Sequence, residues 1–325
     1  MKIKKERIIL AIIILALILY IVLRKQDRIY YQLPEVPQIS QAEISRIEIS
    51  KPDGSIVIEK KDDKWIIGLQ EYLADQYSVE SMLDSIEKPM LTAIVSDSKT
   101  YTRYGLDDNE KITVRIFSGE SLRREIELGN LTNSRQHTFI KLDNDHRVYH
   151  AKDNLRSLFN KDIDELRDKI VLSFEKSEIK EIGITKEDRS IFLTLTEQVS
   201  TEEIGDKEAE IEDSSLQEKI RLWKTPEGKY VEASLPEGLL SSLFRLSCKE
   251  YLYDTRKEDL INPMCTIRLK DAKEYILSIF PKKDDSDQGY SATSSENDSA
   301  FILSDWRVED ILETADKILK SSEES

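Results

Sequence analysis

The chain has 325 residues, 39% of them hydrophobic and 34% charged, with only ten glycines and eight prolines. That is the composition of a globular protein with an ordinary core, and it excludes the disordered, collagenous and disulfide-scaffold classes. The formal net charge of −15 is unevenly placed: residues 1–28 carry seven cations against Glu6 and Asp27, a net of +5, leaving −20 on the rest. A body that acidic repels a phosphate backbone, which argues against a nucleic-acid partner. The ten glycines never stand closer than ten positions apart. G-x-G-x-x-G and the Walker A loop both need two glycines within about six positions, so neither is present.

Ile8 to Leu23 reads IILAIIILALILYIVL, sixteen residues with no polar group but the Tyr20 hydroxyl. As a helix it would measure about 24 Å at ~1.5 Å per residue. The hydrocarbon core is about 30 Å thick, and the stems of Arg7 and Arg24 can cover part of the difference by snorkelling. The residues that follow, LRKQDRIYYQLP, offer no small-residue cleavage pattern, so the run reads as an uncleaved anchor rather than a signal peptide. Lys2, Lys4, Lys5, Arg7 and the free amine precede it; Arg24, Lys25 and Arg28 follow it. The cation bias predicts a cytoplasmic N-terminus, with the body outside, in a periplasm or at a cell surface.

After a cytoplasmic stub and anchor (1–28) and a linker (29–42), the body reads as one unit used twice, over 43–170 and 177–320. The predicted fold class is α+β: two tandem copies of an antiparallel sheet with helices, behind one transmembrane helix. Ile44–Ser50 alternates as a strand, Pro52-Asp53-Gly54 turns, Ile56–Lys60 alternates again, and a third strand surrounds Trp65. Ile179–Thr185, Ile191–Leu195 and Ile220–Lys224 repeat that meander. A helix follows in each half. Val79, Met82, Leu83 and Ile86 lie behind a Ser78 cap, and Leu239, Leu243 and Leu246 lie behind Pro236. Two further strands follow in each half, Lys111–Phe117 with Leu122–Leu128 and Thr266–Lys270 with Glu274–Phe280. Each half then closes with a hairpin and a helix. Leu155, Leu158, Phe159, Ile163 and Leu166 line one closing helix; Val308, Ile311, Leu312, Ala315 and Leu319 line the other. Acidic or polar insertions at 196–218 and 282–299 distinguish the second copy and read as solvated loops, except that Tyr290–Thr293 keeps the equivalent of the Thr138–Leu142 strand.

Chemistry is sparse in the sequence. His137, His146 and His150 cluster, but four residues of strand span about 13 Å, too far for His146 and His150 to share an ion. The repeat sets His150 opposite Leu303, an interior position. H-E-x-x-H, C-x-x-C and G-x-S-x-G are absent. A calcium loop counted from Asp284 has Gly289 sixth but Ser295 twelfth. Counted from Asp285, it has Glu296 twelfth but Tyr290 sixth. Trp65, Tyr230 and the other aromatics at strand positions read as core. Cys248 and Cys265 are either a disulfide or two separate buried thiols. No catalytic, cofactor-binding or metal-binding residue is assigned.

Ile47–Ile49, Lys60 with Trp65, Ala74-Asp75 before a helix, Tyr104-Gly105-Leu106-Asp107, Gly129 and Leu166-Arg167-Asp168-Lys169 stand in this order. The pattern resembles the domain of unknown function 4340 (DUF4340) family. The second copy departs from it, with Asp259-Leu260-Ile261-Asn262-Pro263 in the YGLD slot and no LRDK. The resemblance implies a bacterial, membrane-anchored protein often encoded beside gliding-motility-type ABC transporter subunits, and it offers no catalytic residues to carry over. The expected function is therefore a non-enzymatic, membrane-anchored extracytoplasmic accessory or scaffold protein with ABC-type transporter subunits as partners. A carboxylate hydrolase of the cell envelope and a lipid or saccharide carrier are the alternatives.

Overall fold

The computed structural model describes residues 13–20, 32–199, 219–282, 284 and 289–321. Residues 13–20 are helical, and the large apolar side chains between Ile13 and Tyr20 are 49% to 71% exposed. The other residues of the expected span, 8–12 and 21–23, lie outside the described residues. Among the described residues no helix is long and apolar enough to cross a membrane.

The body is α+β. Its first half runs β1 (Arg46–Lys51), β2 (Gly54–Lys61), β3 (Lys64–Ile67), β4 (Tyr72–Leu73), α1 (Gln76–Glu87), β5 (Leu91–Ser96), β6 (Ile112–Ser118), β7 (Ser121–Leu131), β8 (His137–Leu142), β9 (Val148–Lys152), α2 (Leu155–Phe159) and α3 (Ile163–Leu166). After β10 (Ile170–Leu172) the order recurs. The second half has β11 (Glu181–Lys186), β12 (Arg189–Val199), β13 (Lys219–Lys224), β14 (Tyr230–Val231), α4 (Ser234–Leu243), β15 (Leu246–Ser247), β16 (Glu250–Leu252), β17 (Cys265–Lys270), β18 (Glu274–Ile279), β19 (Tyr290–Ser294), β20 (Ala300–Leu303) and α5 (Asp305–Ser321).

Contacts divide the chain into two compact units, residues 1–63 with 77–161 and residues 64–76 with 162–325. The compact units and the duplicated order are separate divisions of the chain. In the first unit the strands lie side by side as β2-β1-β6-β7-β8-β9-β5, and in the second as β14-β13-β12-β11-β17-β18-β19-β20-β16. Matching β1 to β11, β2 to β12, β6–β9 to β17–β20 and β5 to β16, the seven strands of the first follow the order of the seven from β12 to β16 in the second. Registers agree residue by residue: Ile47 faces Ile58 and Ile116, and Ile182 faces Leu193 and Leu269. All six are essentially fully buried, because alternation puts every second residue of these strands on the helix-covered face.

The helices follow the expected stripes, with departures that have local causes. In α1, Val79, Met82, Leu83 and Ile86 are buried, but the helix starts at Gln76, so Ser78 lies inside it. Instead of capping, its hydroxyl accepts the Lys161 amine at 3.0 Å. Helix α4 ends at Leu243, and Leu246 belongs to β15 rather than to the helical stripe. The first closing helix is broken in two. Asp162 accepts from the Glu165 amide at 2.7 Å while Glu165 accepts from the Asp162 amide at 3.0 Å, a capping box that begins a new helix at Ile163. Helix α5 is continuous, with Val308, Ile311, Ala315, Ile318 and Leu319 buried.

The linker does not stay clear of the body throughout. Arg124, 3% exposed, donates to the Ile86 carbonyl at 2.5 Å and the Glu87 carbonyl at 3.3 Å, satisfying the open end of α1. Its other terminal nitrogen donates to the Pro37 carbonyl. Ile39 and Ile44 are buried behind it. Strand β12 runs on to Val199, opposite Lys219, so the strand pairing reaches into the first residues of the acidic insertion; residues 200–218 lie outside the described residues. Cys248 and Cys265 are both buried and unbridged, and burial pushes each thiol up to about 11. Of the aromatics read as core, Trp65 is half-buried, Tyr230 is 55% exposed and Trp223, on β13, is fully buried.

Candidate functional site

The YGLD element and Gly129 are one packing joint in the first unit. Gly105 ends a short 3-10 turn in the left-handed region, φ 64°, with the Asn130 side chain so close that a Cβ would lie 2.4 Å from its amide nitrogen. A Cβ on Gly129 would lie 2.2 Å from the Tyr104 carbonyl oxygen and 2.8 Å from Leu106. Leu106 is buried and Asp107 accepts from the Asn109 amide at 3.0 Å. Glycine is required at 129 because two backbone segments touch there, and at 105 because the backbone is left-handed under the Asn130 side chain.

The LRDK element builds a second joint, inside the second unit. Arg167 is 6% exposed, and its guanidinium lies between two rings, 3.9 Å from the Tyr72 centroid and 3.4 Å from that of Tyr251. One terminal nitrogen donates to the Ser299 hydroxyl at 2.9 Å; the other is buried without a partner. Asp168 and Asp75 continue the fastening through their amides, which donate to the Leu73 and Leu166 carbonyls. The Tyr251 hydroxyl donates to the Asp168 carbonyl at 2.6 Å. Asp164 pairs with Lys169 and accepts from the Tyr253 hydroxyl at 3.2 Å. Burial pushes the Tyr253 phenol up to about 12 and the Tyr251 phenol higher still. Neither phenol is poised to ionise near neutrality, and Asp164 and Lys169 are spent on one another. Chemically this is a clasp.

His137 and His150 sit on the outer face of β8 and β9, and His146 lies in the connection between these strands. His137 and His150 are diagonal neighbours with ring centroids 5.6 Å apart, and Phe139 lies 5.0 Å from His150. His150 is half-buried rather than interior. The burial patterns of β9 and β20 match when His150 is set against Ile302, one residue from Leu303, and a one-residue slip moves a side chain to the opposite face. Among the described residues no group of three or more histidine, cysteine or acidic side chains could hold a metal ion. Of the calcium-loop residues, 285–288 lie outside the described residues, and Glu296 pairs with Lys273 at 2.7 Å.

Burial, and next the charge of His137, hold the His150 imidazole below its ordinary value. The unfolded chain therefore takes up this proton at a higher pH than the folded one. As pH falls through about 6.5 towards the lowered folded value, stability is lost. Thermal melts between pH 7.5 and 5 should show a falling midpoint, and His150→Gln should flatten that part of the slope. An unchanged slope in the variant would assign the pH dependence to other groups.

A third feature of the sheets is a trough in the second unit, of about 600 Å³, whose lining includes Gly183, Ser190, Phe192, Glu227, Lys229 and Arg268. Nothing in the sequence analysis singled these residues out. The one available signal was a difference between the copies: where β1 has Glu48, β11 has Gly183.

The profile of the domain of unknown function DUF4340 matches residues 65–263. The chain belongs to this family. That stretch contains the YGLD joint, the LRDK element with Tyr72 and Tyr251, and most of the trough lining; Arg268 and Ser299 lie beyond it. No curated protein matches the chain, and no solved structure does either. In this DUF4340 protein the family's two most distinctive sequence elements are thus packing devices, each built where backbone or rings meet in close contact.

Proposed function

We propose that this DUF4340 protein is a single-pass, membrane-anchored accessory or scaffold protein that is not itself an enzyme. Its duplicated body lies outside the cytoplasm and docks on a transport complex of the ABC type. The observation that carries the anchor is the helix at residues 13–20: its apolar side chains are half or more exposed, within a sixteen-residue apolar run flanked by cations. Side chains of that kind left open to water are unfavourable by roughly 1.5–3 kcal/mol each, and a bilayer removes that cost. The larger number of cations before the run supports a cytoplasmic N-terminus. The scaffold role is supported by two sheets of one design and by family motifs spent on packing. The transporter partner is what the family resemblance implies.

A reporter that is active only outside the cytoplasm, fused after Ser325, should be active in cells. Activity from a cytoplasm-only reporter at the same site would overturn the placement. Permease and ATPase subunits should co-purify with the tagged chain from detergent-solubilised membranes, and their absence from such preparations would remove the transporter role.

A further inference from the structure

The two copies differ at one position in a way that leaves a binding slot. In the first sheet Glu48 lies directly between its cross-strand neighbours Val57 and Arg115. Its carboxylate stands 3.1 Å from Arg46, and Arg115 pairs with Glu125 at 2.6 Å. In the second sheet the matching residue is Gly183, with Phe192 and Arg268 as its cross-strand neighbours. The arginine is retained while the carboxylate between the strands is gone. Arg268 has only a loose contact with Glu274, 3.7 Å between atoms whose side chains are each about half exposed.

The vacated place opens into the trough of about 600 Å³ described above, which is within the range of small-ligand sites. Phe192 packs against Gly183, yet it is still 44% exposed, so a ring face is open to a ligand. Ser190, Glu227 and Lys229, all exposed, add a hydroxyl, a carboxylate and an amine around it. The slot therefore combines an aromatic surface, a guanidinium beside the place where the sister copy holds the Glu48 carboxylate, and several hydrogen-bonding groups. The C–H face of a sugar ring packs on an aromatic side chain, a sugar acid supplies the missing carboxylate, and its hydroxyls suit the polar rim. We infer that this trough binds an acidic saccharide, seated on Phe192 with its carboxylate on Arg268. This site lies within one unit and does not depend on the membrane topology or the transporter role.

The test is calorimetric titration of the full chain in detergent with a glucuronic-acid-containing disaccharide, with cellobiose as the neutral control and a short glutamate peptide as the rival anion. The acidic disaccharide should bind at least about tenfold more tightly than cellobiose, the difference expected of one charge-assisted contact. Arg268→Gln and Phe192→Ala should each weaken binding by about tenfold or more. Gly183→Glu restores the residue of the first copy and should abolish binding. The backbone at Gly183 is not in the left-handed region, and a Cβ there meets nothing nearer than 3.6 Å, so this variant should melt as the parent does. If it does not, Gly183→Gln at lower temperature and the Arg268→Gln titration carry the decision. Absence of heat with the acidic disaccharide would overturn the proposal, as would equal affinity for cellobiose, preference for the peptide, or binding unchanged in Arg268→Gln.

Discussion

Arg167→Ala should lower the unfolding free energy of the full chain in detergent by about 3 kcal/mol, read from urea denaturation. The guanidinium is buried between Tyr72 and Tyr251 and bonded to Ser299. A desolvated cation–π contact contributes about 2 kcal/mol, and a hydrogen bond from a charged group contributes about 1.5–3 kcal/mol. Against these stands the buried nitrogen without a partner, which costs about 1–3 kcal/mol. Truncation also leaves the two rings facing a void. Arg167→Lys should be nearly as damaging as alanine, because an ammonium cannot stack flat between two rings. Arg167→Met fills the volume without a charge and separates packing from stacking. If methionine is as stable as arginine, the guanidinium contributes nothing net and the clasp is a matter of volume alone.

The second large effect concerns the anchor. Ile13→Arg with Leu17→Arg should move the protein from the carbonate-washed membrane pellet to the soluble fraction. Each arginine at mid-span costs about 2.5–3.5 kcal/mol on insertion scales. Two together shift the partition by a factor of order 10⁴. The control is Ile13→Val with Leu17→Ile, which keeps the run apolar and should stay in the pellet. A doubly charged variant that still pellets would mean that the body, and not residues 8–23, holds the protein on the membrane.

Much of the fold could be read from the sequence because strand alternation in a one-side-covered sheet is a direct imprint of burial. Ile47 and Ile49, or Ile182 and Ile184, announce their face without help from the rest of the chain. What escaped depended on single polar residues or on distant ones. The break between α2 and α3 turns on the reciprocal bonding of Asp162 and Glu165, inside a hydrophobic stripe that by itself suggests one continuous helix. Tyr230 departs from the core reading because an aromatic next to a turn can face either side, and only the pairing of Trp223 with Val231 decides which. His150 was displaced by one residue in the comparison of copies, enough to move it from the open face to the core. The clasp was recognisable as a motif but not as a structure: Tyr72, Arg167, Tyr251 and Ser299 are brought together only by the fold. The trough was hidden for the opposite reason. It is marked by a side chain that is missing, and a lone glycine in a strand ordinarily signals weakness or close approach rather than a seat for a ligand.

The grip of Arg124 on the Pro37 carbonyl also sets the length of the leash. If the apolar run ends in the bilayer at Leu23, thirteen residues separate it from the clamped proline. Fully drawn out, they reach about 45 Å at ~3.5 Å per residue. Under the proposed anchoring, the body's point of attachment would stand no farther than this from the membrane, as docking on a membrane-embedded complex requires.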